Sequence, residues 1–173
     1  KFISKYNLTK DNTKFLTPQK DNIFGHISFN KILQRLFNPH SQYINNNCNY
    51  SSYNNYRIND YILRIVNNYD EEDGSCIANG DTAKIMDVNS SYEYDIIRIK
   101  YDKSDSKIHN TTISILQEEF ILSYALSIHK AQGQGFDNTV LFLSKQHKYM
   151  WNSVNSKQLL YTALSRAKQR CFI

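Results

Sequence analysis

The chain has 173 residues, about one domain's worth at the usual ~100–200 residues each, and 40% of them are hydrophobic, enough for a real core. No run approaches the ~18 apolar residues of a membrane helix, and the start, KFISKYNLTKDN, lacks the apolar stretch of a signal peptide. The net charge of +5 favours polyanionic partners such as nucleic acid, although a plainly soluble surface would carry the same charge.

Residues 1–15 carry little pattern. Phe15-Leu16-Thr17 reads as a strand end, broken by Pro18. Phe29, Ile32, Leu33, Leu36 and Phe37 recur at helical spacing and predict a helix from Ser28, stopped by Asn38-Pro39. Residues 41–56, SQYINNNCNYSSYNNY, are low in complexity and read as a surface loop or linker. The period then changes. DYILRIV (60–66), DTAKIMDV (81–88), EYDIIRIKY (93–101) and TTISIL (111–116) read as strands, separated by turn signals such as Asn79-Gly80-Asp81. Short strands so punctuated predict a small antiparallel barrel over 57–116.

From residue 117 the pattern returns to α/β alternation. FILSYALSI is an apolar run, HKAQGQG a polar turn, and TVLFL (139–143) a strand covered on both faces. Asn155 and Gln158 form a capping-box pattern opening the helix QLLYTALSRAK, whose Leu160, Ala163, Leu164 and Ala167 share one face. The expected organisation is an α/β domain built from 1–56 and 117–173, interrupted by a barrel over 57–116. Cys48, Cys76 and Cys171 are far apart and form no C-x-x-C pair. That reads against a zinc site or disulfide framework and for a reducing, intracellular compartment.

Two clusters carry chemistry. In YALSIHKAQGQGFD (124–137) an apolar strand runs into Ser127, His129, Lys130 and Gln132, then Gly133. Ligands bind at strand carboxyl ends in open α/β sheets, and short polar side chains with a lysine suit phosphate oxygens there. In LLYTALSRAK (159–168) a single arginine, Arg166, sits among small and apolar residues and suits a bidentate grip on phosphate. Plainer readings exist: Arg166 as a solvated helix residue, His129 as a structural strand-end histidine, Lys130 as a surface lysine, Gln132 and Gly133 as a mere turn.

YALSIHKAQGQGFD resembles motif V of the superfamily 1 helicases, and LLYTALSRAK resembles motif VI. TPQKDNIFGHISFNKILQRLFNP (17–39) is similar to the motif IV region of the RecD-like branch. IVNNYDEEDGSCIANGDTAKI (65–85) is similar to that branch's inserted domain. The resemblance implies an α/β, RecA-like second motor domain of the P-loop NTPase type, with an inserted Src-homology-3-like antiparallel β-barrel. It implies an ATP-dependent DNA helicase that moves 5′ to 3′ on single-stranded DNA. Position by position, Arg166 matches the catalytic arginine that reaches the γ-phosphate. With Gly133, Gln134 and Gly135 it would line the ATP cleft. Ser127, His129, Lys130 and Gln132 match positions that contact the strand, as do Thr17 and Gln19 at the motif IV strand end.

There are departures. Many relatives carry Glu where this chain has Gly135, so that nucleotide contact is missing. No G-x-x-x-x-G-K-[ST] loop occurs, and no acidic strand end precedes motif IV. ATP and Mg²⁺ would then be bound mainly by a preceding P-loop motor domain, which is an expected partner, and no metal ligands are assigned here. The lack of an initiating Met fits a segment of a longer chain, inactive as an ATPase by itself. The competing reading is a non-catalytic single-stranded nucleic-acid-binding module that uses the barrel and the +5 charge.

Overall fold

In the computed structural model, residues 1–44, 56–67, 78–90, 95–102, 108–147 and 156–173 are described. The elements in chain order are α1 (Phe2–Lys5), β1 (Thr13–Thr17), α2 (His26–Phe37), β2 (Tyr61–Arg64), β3 (Thr82–Ser90), β4 (Asp95–Tyr101) and β5 (Ile108–Thr112). They continue as α3 (Ile113–Glu119), β6 (Phe120–Leu122), β7 (Ala125–Ser127), β8 (Phe136–Leu141), a 3₁₀ turn (Lys145–His147), α4 (Ser156–Leu164) and β9 (Ala167–Phe172). Two compact units result: Lys1–Phe37 with Tyr124–Ile173, and Asn38–Ser123.

The first unit is built on a four-stranded parallel sheet in the order β7-β1-β8-β9. Leu16, Leu126 and Leu141 are buried and align across three adjacent strands, the apolar content expected where both faces are covered. Gly25 admits the chain into α2, because a Cβ there would fall 2.2 Å from the Asp21 carbonyl oxygen. Asn30 ties α2 to the edge strand β7: its Nδ2 donates to Ala125 O at 2.9 Å, and its Oδ1 accepts from Ala125 N at 2.7 Å. The buried face of α2 differs from the expected stripe. It comprises His26, Asn30, Leu33 and Gln34, while Ile32 and Leu36 are 57% and 53% exposed. Pairing to the β7 backbone turns the polar Asn30 inward and rotates those two aliphatics out.

The second unit carries a five-stranded antiparallel sheet in the order β5-β4-β3-β2-β6. The antiparallel insertion expected from the sequence is present, but its edge strands β5 and β6 do not pair, so the sheet is open and not a closed barrel. Ile113–Leu116 is the reason: expected as strand, it is the first turn of α3. Thr112 caps that helix by accepting from Ile115 N–H, and Leu116 is buried beneath it. A cap and the fully buried Leu116 outweigh the β-preference of the isoleucines here. The run FILSYALSI is also two strands. Phe120–Leu122 pairs with β2, whereas Ala125–Ser127 pairs with β1. The units therefore divide at Phe37/Asn38 and Ser123/Tyr124, not at 56/57 and 116/117. Asn38 lies beyond the helix it was expected to stop, and its Nδ2 donates to the fully buried Asp60 carboxylate at 2.7 Å.

At the carboxyl terminus, α4 ends at Leu164 and Ala167–Phe172 is a strand beside β8, where the sequence pattern carries the helix through Lys168. Asn155 of the capping box, Cys48 and Cys76, and most of the low-complexity stretch 41–56 lie outside the described residues. No helix among the described residues is long and apolar enough to cross a membrane.

Candidate nucleic-acid and nucleotide interface

Parallel register divides the sequence-nominated residues between two ends of one sheet. Thr17 and Ser127 are register partners at the carboxyl ends of β1 and β7, and Ile128 N–H donates to Thr17 O at 3.0 Å. Gly135 and Arg166 immediately precede β8 and β9, whose first residues Phe136 and Ala167 are partners. Strands β1 and β8 run parallel with Thr13 beside Asn138, so this second group lies at the amino end. Gly135 lies three residues ahead of Asn138, so with the four steps of β1 it stands seven residue steps from the Thr17 level, roughly 23 Å at ~3.3 Å each.

At the carboxyl edge, Thr17 is 1% exposed and its hydroxyl donates to Phe24 O at 2.7 Å. Its side chain therefore fixes the 18–25 loop and does not face solvent. Gln19 contributes its carbonyl, which accepts from the backbone N–H of His26 at 3.1 Å and from His26 Nδ1 at 3.4 Å. Ser127 is buried, and its hydroxyl accepts from Lys130 N–H at 3.4 Å while its carbonyl accepts from Ala131 N–H at 3.1 Å. These bonds turn the chain tightly, leaving His129 and Gln132 exposed and Lys130 half-buried. Burial, then the charge of Lys20, lowers the Lys130 pKa. No ion pair neutralises Lys130 among the described residues.

His26 was not nominated by the sequence pattern and belongs to this edge. It opens α2 and is 2% exposed. Burial lowers its pKa most; the Gln19 carbonyl and Asp21 act in the raising direction, Lys130 and Lys20 in the lowering one. Its only sequence signal was its place just ahead of a helical periodicity, where unsatisfied N–H groups favour anions.

At the amino edge, Arg166 is half-buried and held on three sides: Nη1 donates to Gln134 O at 3.0 Å, Nε to Thr162 O at 3.1 Å and Nη2 to Ser165 Oγ at 3.0 Å. Its carbonyl accepts from Phe136 N–H at 2.8 Å. Every one of those partners is neutral, and no carboxylate among the described residues pairs with it. Gly133 adopts φ +78° with open space around it. A Cβ at Gly135 would meet only the far end of the Lys168 side chain, at 3.0 Å. Among the described residues no three His, Cys, Asp or Glu groups gather as a metal site.

Residues 122–173 match the family model of the UvrD-like helicase C-terminal domain. Over 157 residues the chain is 27% identical to the ATP-dependent RecD2 DNA helicase of Deinococcus radiodurans, covering 91% of this chain and 19% of that protein. It is also 27% identical over 178 residues to the RecBCD enzyme subunit RecD of Buchnera aphidicola subsp. Schizaphis graminum, covering 98% of this chain and 26% of that one. Residues 122–173 thus resemble the C-terminal domain of superfamily 1 helicases. Its fold matches the Pif1 helicase of Candida albicans with TM-score 0.55 at 16% identity, over 94% of this chain and 45% of that one. A Bacteroides Pif1 structure in complex with ADP-AlF3 and ssDNA matches with TM-score 0.55 at 15% identity, over 92% and 39% respectively. The chain spans about a fifth to a quarter of the length of the RecD relatives it matches.

Proposed function

We propose that this domain is the second motor half of an ATP-dependent DNA helicase that moves 5′ to 3′ along single-stranded DNA and unwinds duplex. The observation that carries the proposal is the course of residues 127–135. One short segment starts among the cations of the carboxyl edge and ends by giving its Gln134 carbonyl to Arg166 at the amino edge. A strand bound at one edge thereby has a covalent and hydrogen-bonded route to the arginine at the other.

At the carboxyl edge, Lys130 and the exposed His129 and Gln132 take phosphate oxygens of the strand. Ser127, Thr17 and Gln19 position them, as does His26. An unpaired, partly desolvated lysine suits this role, because a phosphate restores the counter-charge that the protein withholds. At the amino edge Arg166 is the catalytic group, with Gly133 to Gly135 forming the wall of the nucleotide cleft. Anchoring by neutral oxygens leaves its full positive charge for a phosphoryl group. ATP supplies the transferable γ-phosphoryl. The donor set here fits that anion, and Mg²⁺ is assigned to the P-loop domain. The reading draws support from the RecD relatives and from the Pif1 structure solved with ADP-AlF3 and ssDNA.

The test joins this domain to its P-loop half and measures ATP hydrolysis with and without single-stranded DNA. Strand-stimulated hydrolysis that survives Arg166→Ala would overturn the role given to Arg166. A domain that binds strands tightly by itself, in a protein without strand-stimulated hydrolysis, would favour the non-catalytic binding module instead.

A further inference from the structure

The open antiparallel sheet leaves a cavity of about 210 Å³ between its two unpaired edges. Its walls come from β5 (His109, Thr111), α3 (Ile115, Glu119) and β6 (Phe120), with Arg64 and Tyr101 behind them. The cavity is unusual in its polar groups. Arg64 Nε, His109 Nε2 and Thr111 Oγ1 are all buried, and none has a hydrogen-bond partner among the described residues. Buried polar atoms are nearly always paired, so three lining one cavity point to a ligand that pairs them.

The chemistry of that ligand follows from the walls. Arg64 is already neutralised by Glu119, with Nη2 2.5 Å from Oε2. A second anion would meet that carboxylate, so the cavity favours an uncharged guest. Arg64 Nε can only donate, the Thr111 hydroxyl can donate or accept, and the imidazole nitrogen of His109 can do either according to tautomer. The guest must therefore present acceptors, with room for a donor. The remaining walls are Ile99, Ile115, Phe120 and the Tyr101 ring, which His109 meets edge-on at 5.3 Å, with Asn110 as one more polar group. The volume lies below the ~300–1,000 Å³ of drug-sized sites, which leaves room for a single ring system.

We infer that this cavity receives one unpaired nucleobase, read on its hydrogen-bonding edge by Arg64, His109 and Thr111. Flat rings with donors and acceptors on one edge and two apolar faces are what such pockets accept. The inference rests on the proposal that the protein handles single strands, which is what would present an unstacked base.

The four deoxynucleosides, titrated into the intact chain and followed by the Thr111 methyl and His109 ring resonances, test it. At least one should shift both resonances saturably. Thr111→Val keeps the shape and removes the hydroxyl, so two effects of opposite sign are expected. Nucleoside affinity falls about five- to tenfold, while the melting temperature rises by roughly 2–4 °C because an unpaired buried group is gone. Ile115, 42% exposed at the rim, gives a second variant: Ile115→Trp should block nucleoside binding and leave the melt unchanged. The inference fails if no nucleoside saturates the shifts, or if both variants bind as the parent does. It fails equally if N-acetyltyrosinamide saturates them and nucleosides do not, which would mark a peptide site. Nucleosides carry no phosphate, so this assay is separate from the strand reading. Oligonucleotide binding without salt dependence would break that reading and leave the nucleoside result standing.

Discussion

At the carboxyl edge of the parallel sheet, positive groups stand close together: Lys20 helps to lower the pKa of Lys130, and burial lowers that of His26 beside them, against an opposing contribution from Asp21. At the amino edge Arg166 is locked by three neutral acceptors, and the flexible Lys168 side chain lies beside Gly135. The first arrangement creates a field with adjustable geometry and suits a polymer of phosphates that must slide. The second fixes a single charge in place and suits one phosphoryl group at one moment of a reaction. In the other unit Arg64 is instead cancelled by Glu119, so a buried arginine's role here is set by its counter-charge and not by its burial.

The largest expected effect tests the fixed charge. In the protein with its P-loop half, Arg166→Ala should lower strand-stimulated ATP hydrolysis by about 10³-fold or more, the scale seen for arginine fingers, with little change in strand affinity. Arg166→Lys should rescue poorly. A lysine cannot satisfy Gln134 O and Thr162 O with a planar fork and still present charge outward. Equal losses of hydrolysis and strand binding would dissolve the division between the edges.

Next comes the clamp that holds the carboxyl edge together. Asn30→Leu leaves both Ala125 N–H and C=O of an edge strand without their partner. A loss of about 2–4 kcal/mol is expected from two stranded buried groups, read by urea denaturation. Strand affinity measured well below the transition should drop too, because β7 carries Ser127 and leads to Lys130.

How much of this is legible in the sequence differs between the units. The alternation of strand and helix around Ser127 and Arg166 is plain because parallel strands buried on both faces read as short apolar runs. The split of FILSYALSI is not, since Ser123 and Tyr124 are apolar enough in context to hide a change of sheet. Both are buried. Ile113-Ser114-Ile115 misleads through β-branching, because the cap that decides the matter is one hydroxyl bond from Thr112. His26 escapes notice for a simple reason: its importance lies in contacts with Gln19 and Lys130, far apart along the chain, and not in its own neighbours in sequence. The pairing of Thr17 with Ser127 likewise exists only through register.

The third prediction sharpens the adjustable field. Lys130→Gln should weaken oligonucleotide binding uniformly across sequences and flatten the logarithmic salt slope by about 0.7, the value for one single-strand phosphate contact. Arg166→Gln should leave that slope within error, if the amino edge sees nucleotide and not strand.

A smaller effect follows from pH. Burial lowers the pKa of His26 and also that of His147, which accepts from Ser144 N–H through Nδ1. Both imidazoles are neutral in the fold and take up protons near the ordinary value of 6.5 when unfolded. The unfolded chain therefore binds more protons below that pH, and stability falls as pH drops from about 6.5. Thermal melts from pH 7.5 to 5.5 should show the decline, and His26→Gln should make it shallower. An unchanged slope would mean that His26 titrates alike in the folded and unfolded chain, which its burial and its place beside Lys130 argue against.

The smallest effect concerns the segment joining the two edges. Gly133 has φ +78° and nothing within 4 Å of the point a Cβ would occupy, so Ala there costs only backbone strain, about 1 kcal/mol. At Gly135 the nearest neighbour is the flexible end of Lys168, which can move aside, so Ala should be close to neutral in a melt. The informative contrast is functional. If residues 127–135 transmit strand binding to Arg166, Gly133→Ala should reduce the stimulation of hydrolysis by single strands more than it reduces basal hydrolysis, because it strains the turn between Lys130 and Gln134. Gly135→Ala, which leaves that turn alone, should not. Equal behaviour of the two variants would mean that the edges communicate through the sheet itself, by way of β1 and β8, and not through the segment that connects them.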